Sequence, residues 1–292
     1  MHMLQANTVT ATYVASNENE TVLLLHSSAS SSSQWRALSA LLESQFQVLT
    51  PDLYGYGASP EWPGREPITL AHEAAAVSAL LGNDDRPVHV VGHSYGGAVA
   101  LKLALARHIR LQSLTLIEPV AFYLLRNDTQ ETELYEEVCR IGNSVRQAVA
   151  RGDYWGGMAR FIDYWSGTGT WDRLAEEKRA ALALRTPKVA LDFHTTTAED
   201  TPLSVYSHIS APVLILRGEY APAPTQRIAE LLAHAIPASH LQTVPDAGHM
   251  APLTHKEFVN KAIRRHLLQN AYPHEQRTGS AITESVYAAV GA

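Results

Sequence analysis

The 292-residue chain holds one cysteine, Cys139, which cannot close an intrachain disulfide, and no paired-cysteine or cysteine–histidine spacing of a zinc site. Its stability has to come from packing. Basic residues are not in surplus either: 23 Lys and Arg stand against 29 Asp and Glu, a formal charge of −6. With no block of basic residues to grip a phosphate backbone, nucleic acid and anionic membrane are poor partners. No apolar run approaches the roughly 18 residues of a membrane span, and residues 1–7 lack the charged and apolar regions of a secretory signal. The expectation is a soluble, cytoplasmic protein that needs no metal or cofactor and takes small, largely neutral molecules.

What is present is apolar material, 46% of the residues, in a chain long enough for one large domain or two ordinary ones. Short runs rich in Val, Ile and Leu recur at 22–25, 47–50, 88–91, 114–117, 213–216 and 241–244. They do not alternate strictly, which is how strands buried on both faces of a sheet read. Segments with helical spacing lie between them, at 35–42, 70–81, 98–106, 225–235 and 256–268. Strand–helix alternation predicts an α/β fold, a mostly parallel, doubly wound sheet covered by helices on both faces.

One interval breaks the rhythm. From about Phe122 to Tyr206 there is no strong strand signal, but there are helical stretches at 129–151 and 172–185 and a dense aromatic set: Tyr154, Trp155, Phe161, Tyr164, Trp165 and Trp171. This reads as a helical insertion between two strands, its aromatics shared between its own core and a pocket. Residues 272–292 read as a tail.

Chemistry enters at Gly92-His93-Ser94-Tyr95-Gly96, placed between a buried strand and an Ala/Leu-rich segment. A serine hydroxyl is a poor nucleophile at neutral pH and must be presented where a base and an oxyanion site can both reach it. A sharp strand-to-helix turn does this, and it needs glycines where the backbones crowd. The following helix aims its N-terminal N–H groups at the same point.

On these residues the chain resembles the α/β-hydrolase superfamily from Thr21 to Leu268. The resemblance extends to His26-Ser27-Ser28-Ala29 after the first strong strand, to Asp52-Leu53-Tyr54-Gly55-Tyr56-Gly57-Ala58-Ser59 after the next, and to Asp246-Ala247-Gly248-His249 after the last. It implies a core of residues 1–120 and 208–271, a helical cap over 121–207, Ser94 as nucleophile and His249 as base. It also implies an oxyanion hole from the backbone N–H groups of Tyr95 and Ser28, although Ser27 stands where the family usually has glycine. His26, His93 and Asp52 are expected to support loops.

The acid departs from the family pattern. It usually stands at the third position beyond the glycine ending the penultimate strand, and beyond Gly218 that position is Ala221. Three carboxylates compete. Glu118 follows the nucleophile by 118 − 94 = 24 residues, room for one helix and one strand back to the same sheet edge. Some superfamily members, including a branch of the haloalkane dehalogenases, supply the acid from there, and Glu118 is the favoured reading over Glu219 and Asp246.

A serine at position 94 argues against haloalkane dehalogenase and epoxide hydrolase chemistry, which needs a carboxylate nucleophile. It suits acyl transfer from an ester, lactone or thioester of a small apolar substrate. Hydrolysis of a C–C bond in an aromatic-degradation product, perhydrolysis, and a non-enzymatic role as a ligand receptor remain the alternatives.

Overall fold

The computed structural model describes residues 2–5, 9–14, 20–82, 86–106, 109–126 and 129–272; the expected tail beyond Tyr272 lies outside the described residues. In chain order the elements begin with β1 (His2–Gln5), β2 (Thr10–Val14), β3 (Thr21–Leu25), α1 (Arg36–Leu42), β4 (Gln47–Pro51), α2 (Leu70–Ala79), β5 (Val88–His93), α3 (Tyr95–Ala104) and β6 (Leu111–Ile117). Four helices follow: α4 (Thr132–Ala150), α5 (Tyr154–Ser166), α6 (Glu176–Ala183) and α7 (Thr186–Ala198). The chain then returns through β7 (Val213–Gly218), α8 (Ala223–Ala235), β8 (Ser239–Val244), the single turn α9 (Ala251–Thr254) and α10 (Lys256–Asn270).

The eight strands form one sheet in the order β1-β2-β4-β3-β5-β6-β7-β8. From β4 to β8 all pairings are parallel, while β1 and β2 add an antiparallel edge. Successive residues of a strand point to opposite faces, and the inner strands divide accordingly. Leu23, Leu25, Val90, Leu114, Leu116, Val213 and Ile215 join the core beneath α3 and the insertion. Val22, Leu24, Val91, Ile117, Leu214 and Leu216 join a second core with Leu38 and Leu42 of α1 and Val259, Ile263 and Leu267 of α10. Two buried faces explain the continuous apolar runs. The edge strand β8 is mostly half-exposed, with only Val244 fully buried.

Three features escape a reading of runs and periods. The β1–β2 hairpin lies outside the segments expected to be strands, because its polar and mixed residues offer no apolar run. The helix after the nucleophile begins at Tyr95 rather than at 98, since Gly96 and Gly97 disguise its first turn. In the insertion, α5 starts where Asp153 accepts the Gly156 N–H at 2.8 Å, and α7 starts with Pro187 in its first turn. Among the described residues, no helix is long and apolar enough to cross a membrane.

Parallel order sends the carboxyl ends of β3, β5, β6 and β7 to one edge, where an open α/β sheet forms its crevice. The insertion between β6 and β7 lies over that edge: Phe161, Trp165 and Phe193 from α5 and α7 line the same cavity as Ser94.

Candidate active site

Ser94 sits between β5 and α3 with φ 56° and ψ −116°. A non-glycine residue held there is strained by about 1–3 kcal/mol and persists only where its surroundings fix it. The fixing is visible. A Cβ on Gly92 would lie 2.3 Å from the Gly96 carbonyl oxygen, and one on Gly96 would lie 2.4 Å from that of Leu25. Strand and helix backbones therefore touch, and the Ser94 side chain is forced outward over the sheet edge.

His249 approaches from the loop after β8. Its Nε2 lies 2.9 Å from Ser94 Oγ, and its Nδ1 lies 3.2 Å from Glu118 Oε2. A carboxylate only accepts, so Nδ1 carries the proton and Nε2 is free to accept the serine hydroxyl. Glu118, fully buried, also receives the Gly218 N–H at 2.7 Å and the Thr225 hydroxyl at 2.6 Å. Three donors satisfy a carboxylate that burial would otherwise penalise.

Glu118 ends β6, whose Ile117 is paired with Leu216 of β7. Adjacent strands lie about 4.8 Å apart, so a glutamate one strand away reaches the imidazole that the family's acid reaches from β7. Of the other two candidates, Glu219 instead accepts the backbone N–H of Asp246 at 3.0 Å, and both residues are exposed.

A relay behind the imidazole holds its loop. Gln34 accepts the N–H and hydroxyl of Ser27 through one oxygen and meets His93 Nδ1 at 3.1 Å through its amide nitrogen; His93 Nε2 then donates to the His249 carbonyl at 3.0 Å. Burial pushes His93 down to about 3, so the ring stays neutral and the relay keeps its direction. His26 is likewise pushed down by burial, to about 4; its Nε2 accepts the Leu53 N–H while Nδ1 donates to the Ser27 carbonyl. Asp52 accepts the N–H groups of Ser32 and Ala58, at 2.7 and 2.9 Å.

Tyr95 and Ser28 both flank Ser94 in one small cavity. The Tyr95 N–H, at the first helical position, has no intrahelical acceptor. Ser28 lines the same cavity, and its hydroxyl donates to Asp192 Oδ2 at 2.5 Å. That hydroxyl is therefore engaged in bracing, and the N–H is what Ser28 has to offer an oxyanion.

Asp192 belongs to a buried charge cluster that sequence reasoning missed. Lys188, one turn earlier on α7, contacts Asp192 Oδ1 at 2.5 Å and Glu73 of α2 at 3.2 Å. The hydroxyl of Tyr56 donates to Asp192 at 2.6 Å and that of Tyr95 to Glu73 at 3.1 Å, and the Lys188 ammonium lies 4.6 Å from the Tyr95 ring centre. Burial alone would lower the Lys188 pKa, but the two carboxylates outweigh it and leave the ammonium above its usual range. Glu73 moves up, because its burial outweighs the single cation. A Lys and Asp four residues apart on a helix were the available signal, but nothing in the sequence says that the pair faces α2.

Two cavities meet at Ser94. The inner one, about 10 Å³, is lined by Ser28, Ser94, Tyr95, Val120, Asp192 and Thr196 and walled by Phe122, Phe161, Trp165 and Phe193. The outer one, about 980 Å³, runs past Ser94 and His249 to Leu174, Lys178 and Arg185. Trp165 lies between them, its ring centre 4.0 Å from that of His249. Of the aromatics singled out in the insertion, Phe161, Tyr164 and Trp165 line these cavities, whereas Tyr154 and Trp155 face solvent.

The sequence model of the Alpha/beta hydrolase family matches residues 22–262. Over 99 residues the chain is 41% identical to Lipase LipV of Mycobacterium tuberculosis, a stretch covering 34% of this chain and 36% of that protein. Over 129 residues it is 29% identical to the soluble epoxide hydrolase of a Corynebacterium species, covering 44% of each. The chain thus matches less than half the length of these curated relatives. A thermophilic esterase from Thermogutta terrifontis, solved with malate bound, superposes with a TM-score of 0.70 at 26% identity, covering 93% of this chain and all of that one.

Proposed function

The chain belongs to the α/β hydrolase family, and we propose that within it the protein is a serine-dependent carboxylic-ester hydrolase with Ser94 as nucleophile, His249 as base and Glu118 as acid. The observation that carries this reading is the unbroken line from Ser94 Oγ to His249 Nε2 at 2.9 Å and from His249 Nδ1 to Glu118 Oε2 at 3.2 Å. Residues 121–207 act as the cap over this site.

The ester carbonyl enters at Ser94. As Oγ bonds to the carbonyl carbon, its proton passes to His249 Nε2, and the imidazolium is held by Glu118. The carbonyl oxygen gains the electron pair and takes hydrogen bonds from the Tyr95 and Ser28 N–H groups; one such donor is worth about 2.7–4 kcal/mol of transition-state stabilisation. Collapse breaks the C–O bond, and the His249 proton leaves with the alcohol. Water then repeats the sequence on the acyl-enzyme, yielding the acid and free Ser94.

The relative named as an epoxide hydrolase does not shift this reading, because opening an epoxide through an alkyl-enzyme ester needs a carboxylate where this chain has Ser94. The test is turnover of 4-nitrophenyl acetate by the wild type and by Ser94→Ala. Loss of turnover to the uncatalysed background in the variant supports the proposal. Unchanged turnover, cleavage only of a C–C ring-fission product, or ligand-induced thermal stabilisation without turnover of any ester would overturn it.

A further inference from the structure

The two cavities at Ser94 differ in volume by nearly two orders of magnitude, about 10 against about 980 Å³, and only the larger is lined by His249. That asymmetry has a chemical reading, which rests on the serine-hydrolase proposal. The departing alcohol must take its proton from His249 Nε2, so the leaving group has to lie in the cavity that His249 lines. The acyl group, bonded to the same carbon, then points away from His249, towards the inner cavity that Ser94 also lines. We propose that the protein is selective for esters of very short carboxylic acids, acetyl above all, with bulky, largely apolar alcohols.

Beside the Tyr95 and Ser28 N–H groups that take the carbonyl oxygen, the inner cavity, at about 10 Å³, leaves an acyl chain little more than the room of a methyl group. Its walls are poorly placed to yield. Phe122 packs on Trp165 and Phe193 at ring-centre distances of 6.3 and 6.1 Å, and Phe161 packs on the same two at 6.4 and 6.2 Å. The four rings thus close a circuit in which each is held by two others, and a longer acyl chain has to break it. Close-packed interiors resist such insertion. Asp192, tied to Lys188, Ser28 and Tyr56, closes the polar side and disfavours an acyl group that carries its own carboxylate. The outer cavity presents Ile162, Leu174, Leu182 and Leu253, enough apolar surface for a large alcohol.

Two esters of matched size with the ester reversed provide the test: 3-phenylpropyl acetate and methyl 4-phenylbutanoate, assayed for kcat/KM on the wild-type protein alongside fluorophosphonate labelling. One methylene in a tight apolar pocket is worth about 10- to 200-fold, so the acetate is expected to be the better substrate by at least about tenfold. In Phe193→Ala, with Phe193→Leu as the milder change, the ratio should move towards the phenylbutanoate by about tenfold or more. Equal or reversed preference in a protein that labels at Ser94 overturns the partition and leaves the serine mechanism standing. Absence of both labelling and turnover overturns both.

Discussion

The Ser28 hydroxyl donates to the Asp192 carboxylate at 2.5 Å, tying the loop after β3 to helix α7 of the insertion. The loop proposed to offer an oxyanion donor is therefore braced by helix α7. Ser28→Ala removes this bond and keeps the backbone N–H. The expected outcome is a loss of about 1.5–3 kcal/mol in stability, the scale of a hydrogen bond to a charged group, measured by urea unfolding, with kcat changed less than about tenfold because the oxyanion donor remains.

Lys188 holds two buried carboxylates, Asp192 and Glu73. Lys188→Met fills similar space without the charge and leaves both carboxylates facing each other. Breaking a buried pair in this way costs about 3–5 kcal/mol. Chemical denaturation should show that loss; a variant within 1 kcal/mol of wild type would mean, on the same scale, that the cluster carries little stability.

Glu118→Gln keeps the shape and the Gly218 and Thr225 neighbours but exchanges an acceptor for an amide. The imidazole then loses the partner that fixes its tautomer, and kcat should fall about 10³- to 10⁴-fold with circular dichroism unchanged. Glu219→Gln should leave kcat within about threefold, because Glu219 contacts the Asp246 N–H and not the imidazole.

Acid should destabilise the fold earlier than its carboxylates alone would dictate. His26 and His93 are held at about 4 and about 3, and His266 at about 4, all by burial, against 6.5 in the unfolded chain. Between pH 6.5 and 4 the unfolded chain therefore binds more protons than the folded one, and stability falls as the pH falls through this window. Glu73, raised by burial, acts in the opposite direction, but it is one group against three. Thermal midpoints at pH 7.5, 6 and 5 should drop progressively, and a flat profile would contradict the neutral buried imidazoles.

Much of this was legible from residue order. The sheet shows in the Val22–Leu25 and Val213–Leu216 runs because both of its faces are covered, and the elbow shows because Gly92 and Gly96 are needed for contact between backbones. Counting one helix and one strand from Ser94 put Glu118 at the same sheet edge, and the resemblance to superfamily members that carry the acid there favoured it over Glu219 and Asp246. What counting could not supply was its neighbours: the Gly218 and Thr225 donors lie 100 and 107 residues away in sequence. The Lys188–Glu73 contact spans 115 residues, and helix periodicity tells which residues share a face but not what that face meets. The β1–β2 edge was invisible because its short, mixed segments, His2–Gln5 and Thr10–Val14, contain no run of Val, Ile and Leu.

The central claim is that Ser94 is the nucleophile activated by His249, and mapping a fluorophosphonate adduct by peptide mass spectrometry tests it most directly. The account predicts one adduct, on Ser94, abolished in Ser94→Ala and slowed by orders of magnitude in His249→Ala. An adduct on another residue, or none on the active wild-type protein, would contradict it.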